Sequence, residues 1–190
     1  MRFNLPNTLT WLRIILIPVL GLMFLLPATW SNPVAALVFA LAAVTDWLDG
    51  YLARRWQQTS MFGAFLDPVA DKLIVAVALI VVLTGEATVT VAFPVAVIIG
   101  REIAVSALRE WMAEIGQRAH VSVGIMGKIK TVVQMVAITL LLYEAPVLGL
   151  SMFTLGLWLL YIAAVLTIYS MVIYLHAAWH ALNDEQQPPA

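Results

Sequence analysis

The stretch DWLDGYLARRWQQTSMFGAFLDPVAD, residues 46–71, concentrates acids in a chain that is mostly apolar, and its four aspartates are Asp46, Asp49, Asp67 and Asp71. Residues three and four positions apart share one face of a helix. Asp46 and Asp49 therefore share a face of one helix, and Asp67 and Asp71 share a face of the next. Because a short turn joins the two helices, we expect them to pack as antiparallel neighbours with their acid pairs facing.

The composition is that of an integral membrane protein. Of the 190 residues, 63% are hydrophobic and 11% are charged, whereas soluble domains have about 45–50% apolar and about 25% charged residues. The net charge of −1 favours no nucleic-acid partner. The chain has no cysteine, which excludes disulfides and thiolate metal sites.

Six apolar segments are long enough to be helical membrane spans, since a span needs about 20 residues. The sequence predicts an all-α, polytopic membrane protein with one catalytic domain over residues 1–182 and a polar, disordered tail over residues 183–190. The predicted spans are residues 9–26, 33–57, 68–83, 89–110, 125–143 and 150–179. Two glycines of the last region, Gly149 and Gly156, are interpreted as close-packing positions.

The cationic residues predict the orientation of these spans. All ten lysines and arginines, Arg13 among them, fall on or toward one side, and the first, third and fifth loops have none. Since cytoplasmic loops are enriched in lysine and arginine, both termini and the four aspartates are expected to face the cytoplasm.

Four carboxylates at the membrane need compensation. One ionised carboxylate at membrane depth costs about 2.5–3.5 kcal/mol, and four would also repel one another. Protonation or bound cations would relieve this cost. Oxygen ligands without cysteine or histidine favour Mg²⁺ or Mn²⁺ over Zn²⁺, and four carboxylates have enough oxygens for two such ions.

Structural explanations exist for each aspartate taken singly. Asp67 precedes Pro68, as a helix N-cap often precedes a proline at the first helical position. Asp46 and Asp49 would alternatively pair with nearby arginines, namely Arg54 and Arg55. Neither explanation accounts for the convergence of all four acids or for the small residues beside Asp46 and Asp49.

The acids belong to a longer pattern, D-x₂-D-G-x₂-A-R-x₈-G-x₃-D-x₃-D. Its eight fixed positions are Asp46, Asp49, Gly50, Ala53, Arg54, Gly63, Asp67 and Asp71. This pattern resembles the signature of the CDP-alcohol phosphatidyltransferases. The stretches NLPNTLTWLRIILIP (residues 4–18), REIAVSALREWMAEIG (101–116) and GKIKT (127–131) also resemble the bacterial phosphatidylglycerophosphate synthases of that family.

The resemblance implies a reaction. The family transfers the phosphatidyl group of CDP-diacylglycerol to an alcohol and releases CMP, and in this branch the alcohol is sn-glycerol 3-phosphate. It also implies dependence on Mg²⁺ or Mn²⁺ and a homodimer in the lipid bilayer. Transfer to inositol phosphate, serine or phosphatidylglycerol, and a cation transporter with acids on facing helices, remain as alternatives.

The resemblance also implies roles around the acids. Asp46, Asp49 and Asp67 are expected to hold metal, and Asp71 is expected to be the general base for the attacking hydroxyl and a further metal contact. The remaining assignments concern the nucleotide. Clearance for cytidine and pyrophosphate is assigned to Gly50, Ala53 and Gly63, a phosphate clamp to Arg54, and nucleotide contacts to Asn7 and Thr10, which are equally well explained as N-caps of the first span.

Binding of the acceptor is assigned to cationic residues of the fourth and fifth spans. Arg101, Arg109 and Lys128 are expected to form a pocket for the phosphate of an anionic acceptor, because a neutral or cationic acceptor has no use for such charge. The family resemblance selects glycerol 3-phosphate over inositol phosphate. The alternative for Arg101 is a pairing with Glu102 or with the neighbourhood of Asp71. Lys130 and the more distant Arg118 are interpreted as anchors that contact anionic headgroups.

Overall fold

The computed structural model describes residues 5–26, 28–56, 61–115 and 125–184, and these ranges form an all-helical structure. One short 3-10 turn, Met23–Leu25, follows the first helix, and no strand occurs in the described ranges. The six helices are α1 (Leu5–Leu22), α2 (Ala28–Trp56), α3 (Met61–Gly85), α4 (Val89–Glu114), α5 (Ile125–Tyr143) and α6 (Met152–Asp184). The predicted all-α class with six helices is confirmed.

Three helices begin earlier than predicted. α1 begins at Leu5 rather than at Leu9, and the other two do so because prolines had been placed at their starts. α2 begins at Ala28 rather than at Pro33, and α3 begins at Met61 rather than at Pro68. Proline favours a first helical turn, but membrane helices tolerate it inside because neighbouring groups satisfy the freed carbonyls. Asp67 therefore lies within α3, and its interpretation as an N-cap is wrong.

The end of α6 also differs from the prediction. The helix continues to Asp184, so two residues assigned to the polar tail are helical. Residues 185–190, the rest of that tail, lie outside the described residues.

The core is built by all six helices. α5 and α6 pack together most extensively, α1 packs against both α2 and α3, α2 also contacts α5, and α4 also contacts α6. Each helix contributes at least one large apolar side chain with no exposed surface. These side chains are Leu20, Phe39, Leu79, Ile98, Ile138 and Leu160.

The exterior of the helices is apolar as well. Along α6, Trp158, Val165 and Val172 lie seven residues apart and are 69%, 65% and 57% exposed. Soluble monomers seldom expose continuous apolar surface of this kind. Within the described part, the segments Val89–Glu114 and Met152–His176 are each long and apolar enough to cross a membrane. The surface thus suits a lipid environment.

Gly156 lets α5 and α6 approach closely. A Cβ atom at this position would lie 2.9 Å from the Leu141 side chain and 3.0 Å from the Ala137 carbonyl oxygen. The predicted close-packing role is confirmed for Gly156. It is wrong for Gly149, which has open space around it and a φ of +81°, so that glycine serves the turn between the two helices.

Gly156→Ala is expected to lower the thermal unfolding temperature of the detergent-solubilised protein. The added methyl group overpacks the α5–α6 contact, which costs about 1–3 kcal/mol. Gly100→Ala is the matched control, because a Cβ there meets nothing within 4 Å and alanine favours a helix by about 1 kcal/mol over glycine. Equal or higher stability of Gly156→Ala relative to Gly100→Ala would contradict the packing argument.

Candidate active site

Arg13 of α1 connects the acids of α2 and α3. Its side chain has no exposed surface, and its Nη2 lies 3.1 Å from Asp46 Oδ1. Its Nη1 contacts Asp71 Oδ1. One guanidinium therefore bridges two aspartates that lie on different helices and 25 positions apart. The planar fork of arginine suits such a double contact.

Thr10 supplies a second contact from the same face of α1. It lies three residues before Arg13, is 3% exposed, and its hydroxyl donates to Asp67 Oδ1 at 2.6 Å. Thr10 was predicted near the nucleotide or as an N-cap. The N-cap interpretation is wrong, because Thr10 lies inside α1, and the nucleotide contact stays a prediction.

The acids are therefore joined by α1 rather than by a direct pairing of α2 with α3. α1 packs extensively against both helices, whereas α2 and α3 contact each other less. The predicted direct packing of the two acid-bearing helices is thus only partly right. Asp46 forms an ion pair with Arg13, a partner that the sequence analysis did not propose, and the alternative pairing with Arg54 involves a side chain outside the described part.

Sequence reasoning missed Arg13, which it counted only as one of the cations that set orientation. A signal was present: the arginine stands alone in an apolar segment. An ionisable residue in such a segment usually has a functional partner.

The acids fit a divalent cation in their chemistry. Carboxylate oxygens are the ligands that Mg²⁺ and Mn²⁺ prefer, and Asp46 and Asp71 keep 36% and 37% of their side chains exposed although both contact Arg13. No three acidic or histidine side chains in the described ranges lie close enough to hold a metal by themselves. The side chain of Asp49, another of the predicted ligands, lies outside the described part.

The other predicted residues of this region are placed as follows. Gly50 is half-buried on α2, and Gly63 is buried on α3. Asn7 belongs to α1, and Ala53 and Arg54 belong to α2, but their side chains lie outside the described residues. Clearance and phosphate clamping by these residues stay predictions.

A second polar cluster joins α4, α5 and α6. Arg101 Nη1 donates to Glu102 Oε1 at 3.0 Å, and Lys130 Nζ donates to the same oxygen at 2.8 Å. Arg101 Nη2 donates to Ser170 Oγ at 2.8 Å. The alternative pairing of Arg101 with Glu102 is thus observed. Lys130 is 6% exposed, so its interpretation as a headgroup anchor is wrong.

Arg109 joins this cluster through an aromatic ring. Its Nη2 donates to the Tyr174 hydroxyl at 3.3 Å, and its guanidinium carbon lies 5.5 Å from the ring centroid. The guanidinium carbon of Arg101 lies 6.0 Å from the same centroid. Two of the three predicted acceptor residues are therefore brought to one place, on a tyrosine whose sequence context had indicated only lipid-facing or interfacial packing.

The third predicted acceptor residue, Lys128, is exposed on α5. Residues two positions apart do not share a helix face, so only one of Lys128 and Lys130 can face Glu102. The structure shows that it is Lys130. Ser170 was missed and Tyr174 was interpreted as lipid-facing or interfacial, although the two form a polar pair four residues apart in a largely apolar helix.

A cavity of about 450 Å³ lies between α3 and α4. Apolar side chains form most of its lining, and its polar lining includes Lys72 and Glu102. Lys72 follows Asp71 in the chain, and Glu102 belongs to the second cluster. The cavity therefore gives apolar surface next to both polar regions.

Comparison with known proteins decides the family. The family model described as CDP-alcohol phosphatidyltransferase matches residues 3–169. This chain belongs to the CDP-alcohol phosphatidyltransferase family. The resemblance seen in the signature is thereby confirmed.

Relatives of this CDP-alcohol phosphatidyltransferase cover nearly the whole chain. Proteins named CDP-diacylglycerol–glycerol-3-phosphate 3-phosphatidyltransferase from Shigella flexneri serotype 5b (strain 8401) and Escherichia coli (strain K12) are each 52% identical to it over 185 residues. The aligned region is 97% of this chain and 100% of each relative. The family model ends at residue 169, so Ser170 and Tyr174 lie beyond the part that it describes.

Proposed function

We propose that this protein transfers the phosphatidyl group of CDP-diacylglycerol to sn-glycerol 3-phosphate, which yields phosphatidylglycerophosphate and CMP. The observation that carries the proposal is the 52% identity, over nearly the full chain, to proteins named for this activity. The arrangement of the two polar clusters supports it, since one is acidic and the other is rich in cations.

The acidic cluster has the groups that the transfer needs. The acceptor hydroxyl attacks the β-phosphorus of CDP-diacylglycerol, the bond from that phosphorus to the CMP oxygen breaks, and the hydroxyl proton passes to a base. Asp71 is the proposed base, because its carboxylate is partly exposed while Arg13 holds it in place. Its bond to Arg13 limits the orientations that the carboxylate adopts.

Asp46, Asp49 and Asp67 would hold Mg²⁺ or Mn²⁺. Such ions neutralise pyrophosphate charge during phosphoryl-type transfer. Thr10 orients Asp67 through its 2.6 Å hydrogen bond, and Arg13 orients Asp46. We further propose that Arg54 clamps a phosphate.

The cationic cluster is the proposed acceptor site. Arg101 and Arg109 would bind the phosphate of glycerol 3-phosphate, and exposed Lys128 would add positive charge to the approach. Glu102 neutralises part of the charge of Arg101 and Lys130. Net positive charge remains for an anionic acceptor.

The proposal includes a setting in the cell. The asymmetric distribution of lysine and arginine supports six spans of a bacterial inner membrane with both termini and the active site at the cytoplasmic face. The apolar cavity beside Lys72 and Glu102 suits a lipid donor. Assembly as a homodimer is proposed on the family resemblance alone.

Purified protein with Mg²⁺ or Mn²⁺ is expected to release CMP from CDP-diacylglycerol only when glycerol 3-phosphate is added, because the acceptor cluster favours an anionic acceptor and the 52% identical relatives are named for glycerol 3-phosphate. CMP would be measured across a panel of glycerol 3-phosphate, inositol phosphate, serine and phosphatidylglycerol, with a chelator in a parallel sample. Comparable release with another acceptor would contradict the acceptor assignment, and full activity in chelator would contradict the metal assignment.

A further inference from the structure

Tyr174 of α6 has no role in the transfer as described above, yet it contacts both arginines of the proposed acceptor site. We propose that Tyr174 is a positioning residue that sets the spacing and orientation of Arg101 and Arg109 for the acceptor phosphate. The inference rests on the proposed function, since it assigns the phosphate of the acceptor to these two arginines.

The aromatic ring of Tyr174 lies close to both guanidinium groups. Arg101 and Arg109 are eight residues apart, about 12 Å along the axis of α4. The guanidinium carbons lie 6.0 Å and 5.5 Å from the Tyr174 centroid. A single ring from α6 thus contacts two cations from different turns of α4. Cations are attracted to the faces of aromatic rings at such distances, so the ring limits where both guanidinium groups lie.

Both arginines also form hydrogen bonds with side chains of α6. The Tyr174 hydroxyl accepts a hydrogen bond from Arg109 Nη2, and Ser170, one turn earlier on α6, accepts one from Arg101 Nη2. Ser170 itself donates to the Thr167 carbonyl at 3.0 Å, which holds its hydroxyl in place. On this face of α6, Ser170 therefore holds Arg101 and Tyr174 holds Arg109, each by one hydrogen bond.

One nitrogen of the Arg101 guanidinium has no partner among the described residues, and this indicates a ligand. Its two terminal nitrogens bond to Glu102 and Ser170, and its side chain is only 10% exposed. Its Nε is buried and has no hydrogen-bond partner among the described residues. A buried donor without a partner is costly, and a phosphate oxygen would satisfy it.

Tyr174→Leu is expected to raise the KM for glycerol 3-phosphate by about tenfold while changing kcat and the KM for CDP-diacylglycerol by less than about twofold, because a change confined to KM marks lost binding in ground and transition states alike. Tyr174→Phe keeps the ring and should restore the KM to within about threefold of the parent. Tyr169→Leu, an exposed tyrosine of the same helix, is the matched control and should behave as the parent.

A double-mutant cycle with Arg109 separates positioning from packing. If the ring acts through the arginines, Tyr174→Leu should raise the KM less in the Arg109→Ala background than in the parent, because only Arg101 then still depends on the ring and residues that act as a unit are not additive. Full additivity would overturn the inference. So would a Tyr174→Leu variant in which both substrates' KM values rise alike, which is the result expected from a packing defect.

A binding measurement distinguishes failure of this inference from failure of the proposed function. Glycerol 3-phosphate should raise the unfolding temperature of the parent by linkage, and the rise should be smaller in Tyr174→Leu than in Tyr169→Leu. This pattern without acceptor-dependent CMP release would sustain the inference and refute the proposed reaction. Normal acceptor-dependent release with equal ligand-induced shifts in all variants would refute the inference alone.

Discussion

Asp71→Asn is expected to lower the rate of CMP release by about 10²- to 10⁴-fold, the usual contribution of a general acid or base. Asparagine has nearly the shape of aspartate, and its Oδ1 still accepts a hydrogen bond from Arg13, so the contact between α1 and α3 is kept. What is lost is the negative charge and the capacity to accept the proton of the acceptor hydroxyl. CMP release and thermal unfolding of the same preparation would separate these effects.

Glu86→Gln is the matched control for this substitution. It removes the same charge in the same way from an exposed position between α3 and α4, so activity is expected to equal that of the parent. Near-normal turnover of Asp71→Asn would remove Asp71 from the mechanism. Loss of activity together with a large fall in unfolding temperature would show instead that Asp71 acts through the fold.

Arg13→Leu is expected to impair both stability and activity. Removing one partner of a buried ion pair costs about 3–5 kcal/mol when the other charge stays buried. Asp46 and Asp71 keep 36% and 37% of their side chains exposed, so water offsets part of that cost and we expect the lower end of this range. Because both aspartates lose their orientation at once, turnover should fall at least about 10²-fold, as misplacement of catalytic groups does.

Arg13→Lys tests whether the fork of the guanidinium matters. A lysine keeps the charge but not the planar pair of donors that reaches two carboxylates, so stability should recover more than activity. Arg55→Leu removes a cation from an exposed position of α2, where an ion pair contributes about 1 kcal/mol at most, and should lower the unfolding temperature much less than Arg13→Leu. If Arg13→Leu unfolds and turns over like Arg55→Leu, the bridge between Asp46 and Asp71 has no importance.

The helices and the acids were predictable because both depend on local properties of the chain. Long apolar segments predict spans by their length alone, and the spacing of Asp67 and Asp71 predicts a shared face in any helix. The starts of α2 and α3 were misplaced, since Pro33 and Pro68 are local signals for a helix start that neighbouring helices override.

The side-chain partners were not predictable in the same way. Lys128 and Lys130 are both cations of α5, and nothing local to either tells which one meets Glu102. The rotation of α5 about its own axis decides it, and that rotation depends on how α5 packs against α6 and α2. Tyr174 likewise has no local sign that it lies between two arginines more than sixty residues earlier.

The sequence by itself determined the helical class, the family and the set of acids at residues 46–71, because apolar length and residue spacing along one helix carry that information. Only the tertiary structure decided what holds the acids together. Arg13 and Thr10 reach Asp46, Asp67 and Asp71 because α1 packs against both α2 and α3. Contacts between helices depend on how their whole surfaces fit, and no short stretch of sequence contains that fit.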